Sequence, residues 1–75
     1  MDAQSKFEVG IYNREVEEKV REGEHHKQLS DDWADVHYFD VAAPTAEDAR
    51  RKMLQKYPPE RGYVITSVDP IRDHS

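Results

Sequence analysis

Apolar residues change their spacing along this chain, and each change marks a boundary between elements. Phe7, Val9 and Ile11 alternate with Glu8, Gly10 and Tyr12, a period of two that predicts a half-buried strand. Gly10 falls on the face opposite the apolar set, which points to a bulge or to a chain element passing close by. Asn13 is a favoured N-cap type. The segment Arg14–Glu22 that follows places Val16 and Val20 four apart, with Glu15 in the first turn and Arg21 in the last. That order suits the helix dipole and predicts a short helix over 14–22, with Gly23 as a left-handed C-cap. The alternative is a continued strand with Tyr12, Val16 and Val20 on one side. Residues 24–35 hold only Leu29 and Trp33 as large apolar groups and read as a long connection. Ser30 is placed to cap one helical turn within it. Either Leu29 and Trp33 pin this connection to the core, or it is functional or mobile.

Alternation returns from Val36 to Ala43. His37, Phe39, Val41 and Ala43 share the expected core face, and Val36, Tyr38, Asp40 and Ala42 share the other. The period then becomes helical. Thr45 with Asp48 three residues on fits a capping box, and Ala46, Ala49, Met53, Leu54 and Tyr57 form one apolar stripe. Pro58 lacks an amide hydrogen and restricts Tyr57, so the helix ends there. A third strand is predicted over Gly62–Val68, with Tyr63, Ile65 and Ser67 on one face and Val64, Thr66 and Val68 on the other. Apolar groups on both faces suggest a central strand, and Asp69-Pro70 is expected to break it.

These elements predict a two-layer α+β domain. A three-stranded sheet carries one main helix, about 45–57, on one face, and a short helix spans about 14–22. Should the second and third strands be parallel neighbours, the crossover between them is right-handed. The 75 residues suffice for one domain, 1–75, with residues 1–5 and 72–75 expected as disordered tails.

Composition narrows the function. Apolar and charged residues each make up 36% of the chain, so the core is small, but its apolar groups are too regularly spaced for a disordered chain. Cysteine is absent, which excludes disulfides, thiolate metal sites and cysteine nucleophiles, and suits a reducing cytoplasm. The opening residues Met1–Lys6 lack the apolar stretch of a signal peptide, and no run is long and apolar enough to span a membrane. The net charge of −5 argues against nucleic acid as the main partner.

No catalytic group is legible. No serine or carboxylate is placed beside a base, and the three glycines lie too far apart to form a phosphate loop. The expectation is a chain that is not an enzyme and carries no cofactor. His25, His26 and His37 with Asp31, Asp32 and Asp35 offer imidazole and carboxylate ligands for a divalent metal, although no HxxxH or HExxH spacing joins them. The structural alternative makes His25 and His26 loop residues and His37 a half-buried strand histidine. The sheet face away from the helix is the other candidate site. Tyr12, Tyr38 and Val36 are expected there, joined by Tyr63 and Ile65 or by Val64 and Val68 according to register. The alternative is that the 14–22 helix, Trp33 or a second protomer covers this face. Trp33 serves either as a binding anchor or as a core plug. An aromatic sheet face can also stack single-stranded bases.

Ala43-Pro44-Thr45-Ala46-Glu47-Asp48-Ala49-Arg50, followed by Tyr57-Pro58 and Ile65-Thr66-Ser67-Val68, resembles small uncharacterised bacterial α+β proteins. It is also similar to the small accessory subunit of the phenylacetyl-CoA epoxidase complex. The resemblance covers about the second half of the chain, is one of fold pattern, and implies a non-catalytic accessory or interaction module. The expected function is therefore a small cytoplasmic protein-interaction or accessory domain. It would bind another protein or itself, as a homodimer, through the open sheet face or a free edge, and would involve Tyr12, Trp33, Tyr38 and Tyr63. The alternatives are metal or small-ligand binding through His25, His26, His37, Asp31 and Asp35, and single-stranded nucleic-acid binding.

Overall fold

A computed structural model describes residues 5–71. The expected tails lie outside the described residues, except Ser5, which opens the first strand. The elements are β1 (Ser5–Asn13), α1 (Arg14–Arg21), a 3₁₀ turn (Asp31–Ala34), β2 (His37–Ala43), α2 (Ala46–Lys56), a second 3₁₀ turn (Pro59–Arg61) and β3 (Tyr63–Ile71). The expected α+β class, three-stranded sheet and two helices are all present.

The sheet order is β2-β1-β3, and both outer strands are antiparallel to β1. The central strand is thus the first rather than the third. Phe7, Val9 and Ile11 on β1 are buried, while on β3 Val64, Ile65 and Val68 are only half-buried and Ile71 is exposed, because a middle strand is shielded from both sides. β2 and β3 run parallel but do not touch as ladder partners.

The edge position of β3 also explains why Asp69-Pro70 does not break it. Pro70 lies opposite Phe7 and the pairing continues to Ile71 opposite Lys6. The Thr66 hydroxyl donates to Gly10 O at 3.2 Å, so Gly10 turns its backbone groups toward β3. Ladder groups alternate in direction along a strand, so Phe7 turns its own toward β2. Pro70, opposite Phe7, therefore faces its missing N–H outward, where no ladder bond is lost.

Register shifts by one residue beside Gly10: Gly10 pairs with Ser67 and Ile11 with Ile65, leaving Thr66 extra. This bulge switches the parity of β3. Tyr63, Ile65 and Val68 all pack on the helix side, although strict alternation separates Val68 from the other two. The core consists of Phe7, Val9, Ile11, Val41, Ala43, Ala49 and Met53. At one end Trp33 completes it, with ring centroids 5.2 Å from Tyr63, 5.5 Å from Tyr57 and 6.3 Å from Phe39. Trp33 thereby pins the 24–35 connection to the sheet.

Both helices begin as the capping signals predict. The Asn13 Oδ1 accepts from Val16 N–H, and the Thr45 hydroxyl accepts from Asp48 N–H. Gly23, at φ 77°, closes α1: its N–H donates to Val20 O, and Glu24 N–H to Lys19 O. This is the paired-bond arrangement of a Schellman end. α1 is anchored by Val16 alone, which is fully buried, while Val20 is 40% exposed. Asn13, also fully buried, reinforces the anchor by donating from Nδ2 to Arg61 O at 3.0 Å.

Candidate functional site

α2 packs against all three strands from one side, and Trp33 joins its aromatic neighbours on that same side. The opposite sheet face is built from the other parity of each strand. Register places three rows across it. Ala42, Lys6 and Ile71 form the first, Asp40, Glu8 and Asp69 the second, and Tyr38, Gly10 and Ser67 the third. Tyr12 and Val64 continue the face at one end. Tyr38 is 61% exposed.

Gly10 leaves room for three neighbouring side chains on this face. A Cβ there would sit 2.8 Å from Thr66 Oγ1, 3.0 Å from Ser67 Oγ and 3.0 Å from Tyr38 Cε1. The Tyr38 ring therefore lies across the glycine from β2 toward β3. Of the two expectations for Gly10 the close approach holds, while the bulge lies opposite it, at Thr66 in β3 and not in β1.

The second row sets three carboxylates directly opposite one another: Asp40 and Glu8 pair across β2 and β1, and Glu8 and Asp69 across β1 and β3. All three are exposed, and none forms an ion pair among the described residues. Like charges at directly opposed sheet positions destabilise the pairing, so the middle of this face carries repulsion across both ladders, with Lys6 as the one cation in the adjoining row among the described residues.

The remaining candidate residues are distributed as follows. Tyr12 and Tyr38 lie on the open face. Tyr63 and Trp33 lie on the helix side, half-buried, with ring centroids 5.2 Å apart. The imidazoles diverge. His25 Nδ1 donates to the Asp31 carboxylate at 2.8 Å. His26 Nδ1 accepts from the Gln28 and Leu29 amides, so its neutral ring carries the proton on Nε2, facing Glu15 Oε1 at 3.2 Å. His37 Nε2 donates to Asp32 O at 2.9 Å, and its ring lies 4.5 Å from that of Trp33, tilted by 36°. Among the described residues no three His, Asp or Glu side chains are grouped to hold a metal ion, and Asp35 joins none of these contacts.

Two features of the site have little or no signature in the sequence. The carboxylate row depends on β1 being central and on Asp69 belonging to a strand. The other is an edge contact: Lys52 on α2 donates to Ala42 O at 2.7 Å. Its only signal in sequence is a lysine facing back toward the preceding strand.

No protein-family model matches the chain, and neither a curated protein nor a solved structure matches it. Among the described residues no helix is long and apolar enough to cross a membrane.

Proposed function

We propose that this chain is a small, non-catalytic, cytoplasmic protein-interaction domain that docks a partner on its open sheet face. The observation that carries the reading is that face itself: Tyr38, 61% exposed, lies over Gly10 beside Tyr12 and Val64, and no helix among the described residues crosses it. Tyrosine is enriched at binding hot spots because it offers a large rigid contact area with a polar tip. The carboxylate row supports a partner with Lys or Arg groups over a nucleic-acid backbone, since phosphates would meet Asp40, Glu8 and Asp69. It also weakens face-to-face pairing of two copies, which brings the rows together. The resemblance of residues 43–50, 57–58 and 65–68 to a small accessory subunit would imply the same kind of role.

The test is site-specific photo-crosslinking in cells of the source organism. A benzophenone amino acid replaces Tyr38, with the exposed Arg50 position on α2 as control. A discrete adduct from position 38 and none from position 50 is expected, and sedimentation velocity then tells whether the partner is a second copy. Adducts from neither position, or equally from both, would end the reading.

A further inference from the structure

We infer that the outer edge of β2, together with the groove between β2 and α2, is a second binding site, which takes an extended polypeptide segment bearing acidic side chains. The direction of the backbone groups sets this edge apart. Ala42 O accepts from the Lys52 ammonium, which reaches it from outside the sheet. Alternation then turns the N–H and C=O groups of Tyr38 and Asp40 to the same outer edge, where no strand among the described residues follows β2. Such an edge is a template for an added strand. The other edge is closed to this, because Pro70 offers no N–H and the bulge at Thr66 interrupts the ladder.

Beside the β2 edge lies a groove of about 480 Å³, within the range of about 300–1,000 Å³ that ligand sites occupy. Phe39, Val41, Met53 and Tyr57 supply its apolar wall, and Lys52 and Lys56 supply its cations. Arg51, the neighbouring cation on α2, is already paired with Asp48 at 3.3 Å. Lys52 and Lys56 are four residues apart, an advance of about 6 Å along a helix. Two residues of an added strand advance about 6.6 Å. Carboxylates two apart on one side of the segment therefore match the two lysines. The alternate side faces Asp40, which favours uncharged or basic groups there. Lys52 has a defined part in this exchange: while the edge is free it satisfies Ala42 O, and when a strand N–H takes that carbonyl the ammonium is released to a carboxylate. The site adjoins the open face through Tyr38 and Asp40, but its cations and apolar wall lie on the helix side, so the response at Lys52 and Lys56 can fail while the Tyr38 crosslink holds.

The test is an NMR titration of the full chain with acetyl-Thr-Ile-Thr-Glu-Thr-Glu-Thr-amide and with the same peptide carrying Lys in place of both Glu. The acidic peptide is expected to shift the amides of Asp40, Lys52 and Lys56 and to slow hydrogen exchange at Tyr38 and Asp40 at least tenfold at saturation. It should reach half-saturation at a concentration at least tenfold lower than the Lys peptide. The variant with Lys52→Glu and Lys56→Glu, confirmed folded by its own amide spectrum, should lose that preference. An absent response at these amides, an equal response to both peptides, or shifts confined to Tyr12, Val64 and Ser67 would overturn the proposal.

Discussion

Two glycines with positive φ show how differently one residue type can be constrained. Gly23 has φ 77°, and a Cβ added there would meet nothing within 4 Å. At Gly62, φ 96°, a Cβ would sit 2.7 Å from Glu15 Cγ and 2.8 Å from Asn13 Oδ1. Gly23→Ala therefore carries only the left-handed backbone cost, about 1–2 kcal/mol. Gly62→Ala carries that cost and also displaces Asn13, whose Oδ1 caps α1 and whose Nδ2 bonds Arg61 O. Urea denaturation is expected to show Gly62→Ala as the more damaging by about 1 kcal/mol or more, since a buried polar group loses its partners. Equal midpoints would mean that the Asn13 junction relaxes without loss. The sequence marks Asn13 as a cap, but not its burial. That burial arises from the turn 59–62 folding back over it, a contact across 48 residues that no local pattern encodes.

Among the elements, α2 was the most legible, because its cap, its stripe and its proline stop are all local. The structure confirms Thr45 as N-cap, with the hydroxyl 3.1 Å from Asp48 N. Thr45→Ala should lower stability by about 0.5–2 kcal/mol, read as a fall in thermal midpoint. An unchanged midpoint would show that Pro44 and the first-turn acids hold the helix start unaided. β3 was the least legible element. Its faces depend on a bulge, and its length depends on being at an edge, so both follow from its neighbour β1. The same dependence hid the open-face set: Tyr12 and Tyr38 are placed by simple alternation, while Tyr63 is placed by the register of β3 against β1.

At the scale of the whole molecule, the layer arrangement leaves one sheet face outside the core, and a row of three carboxylates crosses it. Replacing Glu8, the middle of the Asp40–Glu8–Asp69 row, removes both cross-strand repulsions at once. Glu8→Gln is expected to stabilise the fold by about 0.2–1 kcal/mol in dilute buffer. The gain should shrink in 1 M salt, where the Debye length falls to about 3 Å. Urea denaturation at the two salt concentrations checks this, and destabilisation in both would show that Glu8 makes a contact that outweighs the repulsion. A variant that gains stability while losing its crosslinked partner would identify the row as a binding feature retained against the interest of the fold.

The Lys52–Ala42 bond has a consequence for how the chain survives in a crowded solution. A short domain with an unsheathed strand is at risk of stacking onto its own copies, ribbon upon ribbon. A single ammonium at the end of β2 means that a union extending to Ala42 breaks a contact already formed and, where two such edges meet, brings two ammonium groups together. In the complex proposed above, the acidic segment would take over that ammonium, so the same side chain that discourages pairing between copies would favour the guest.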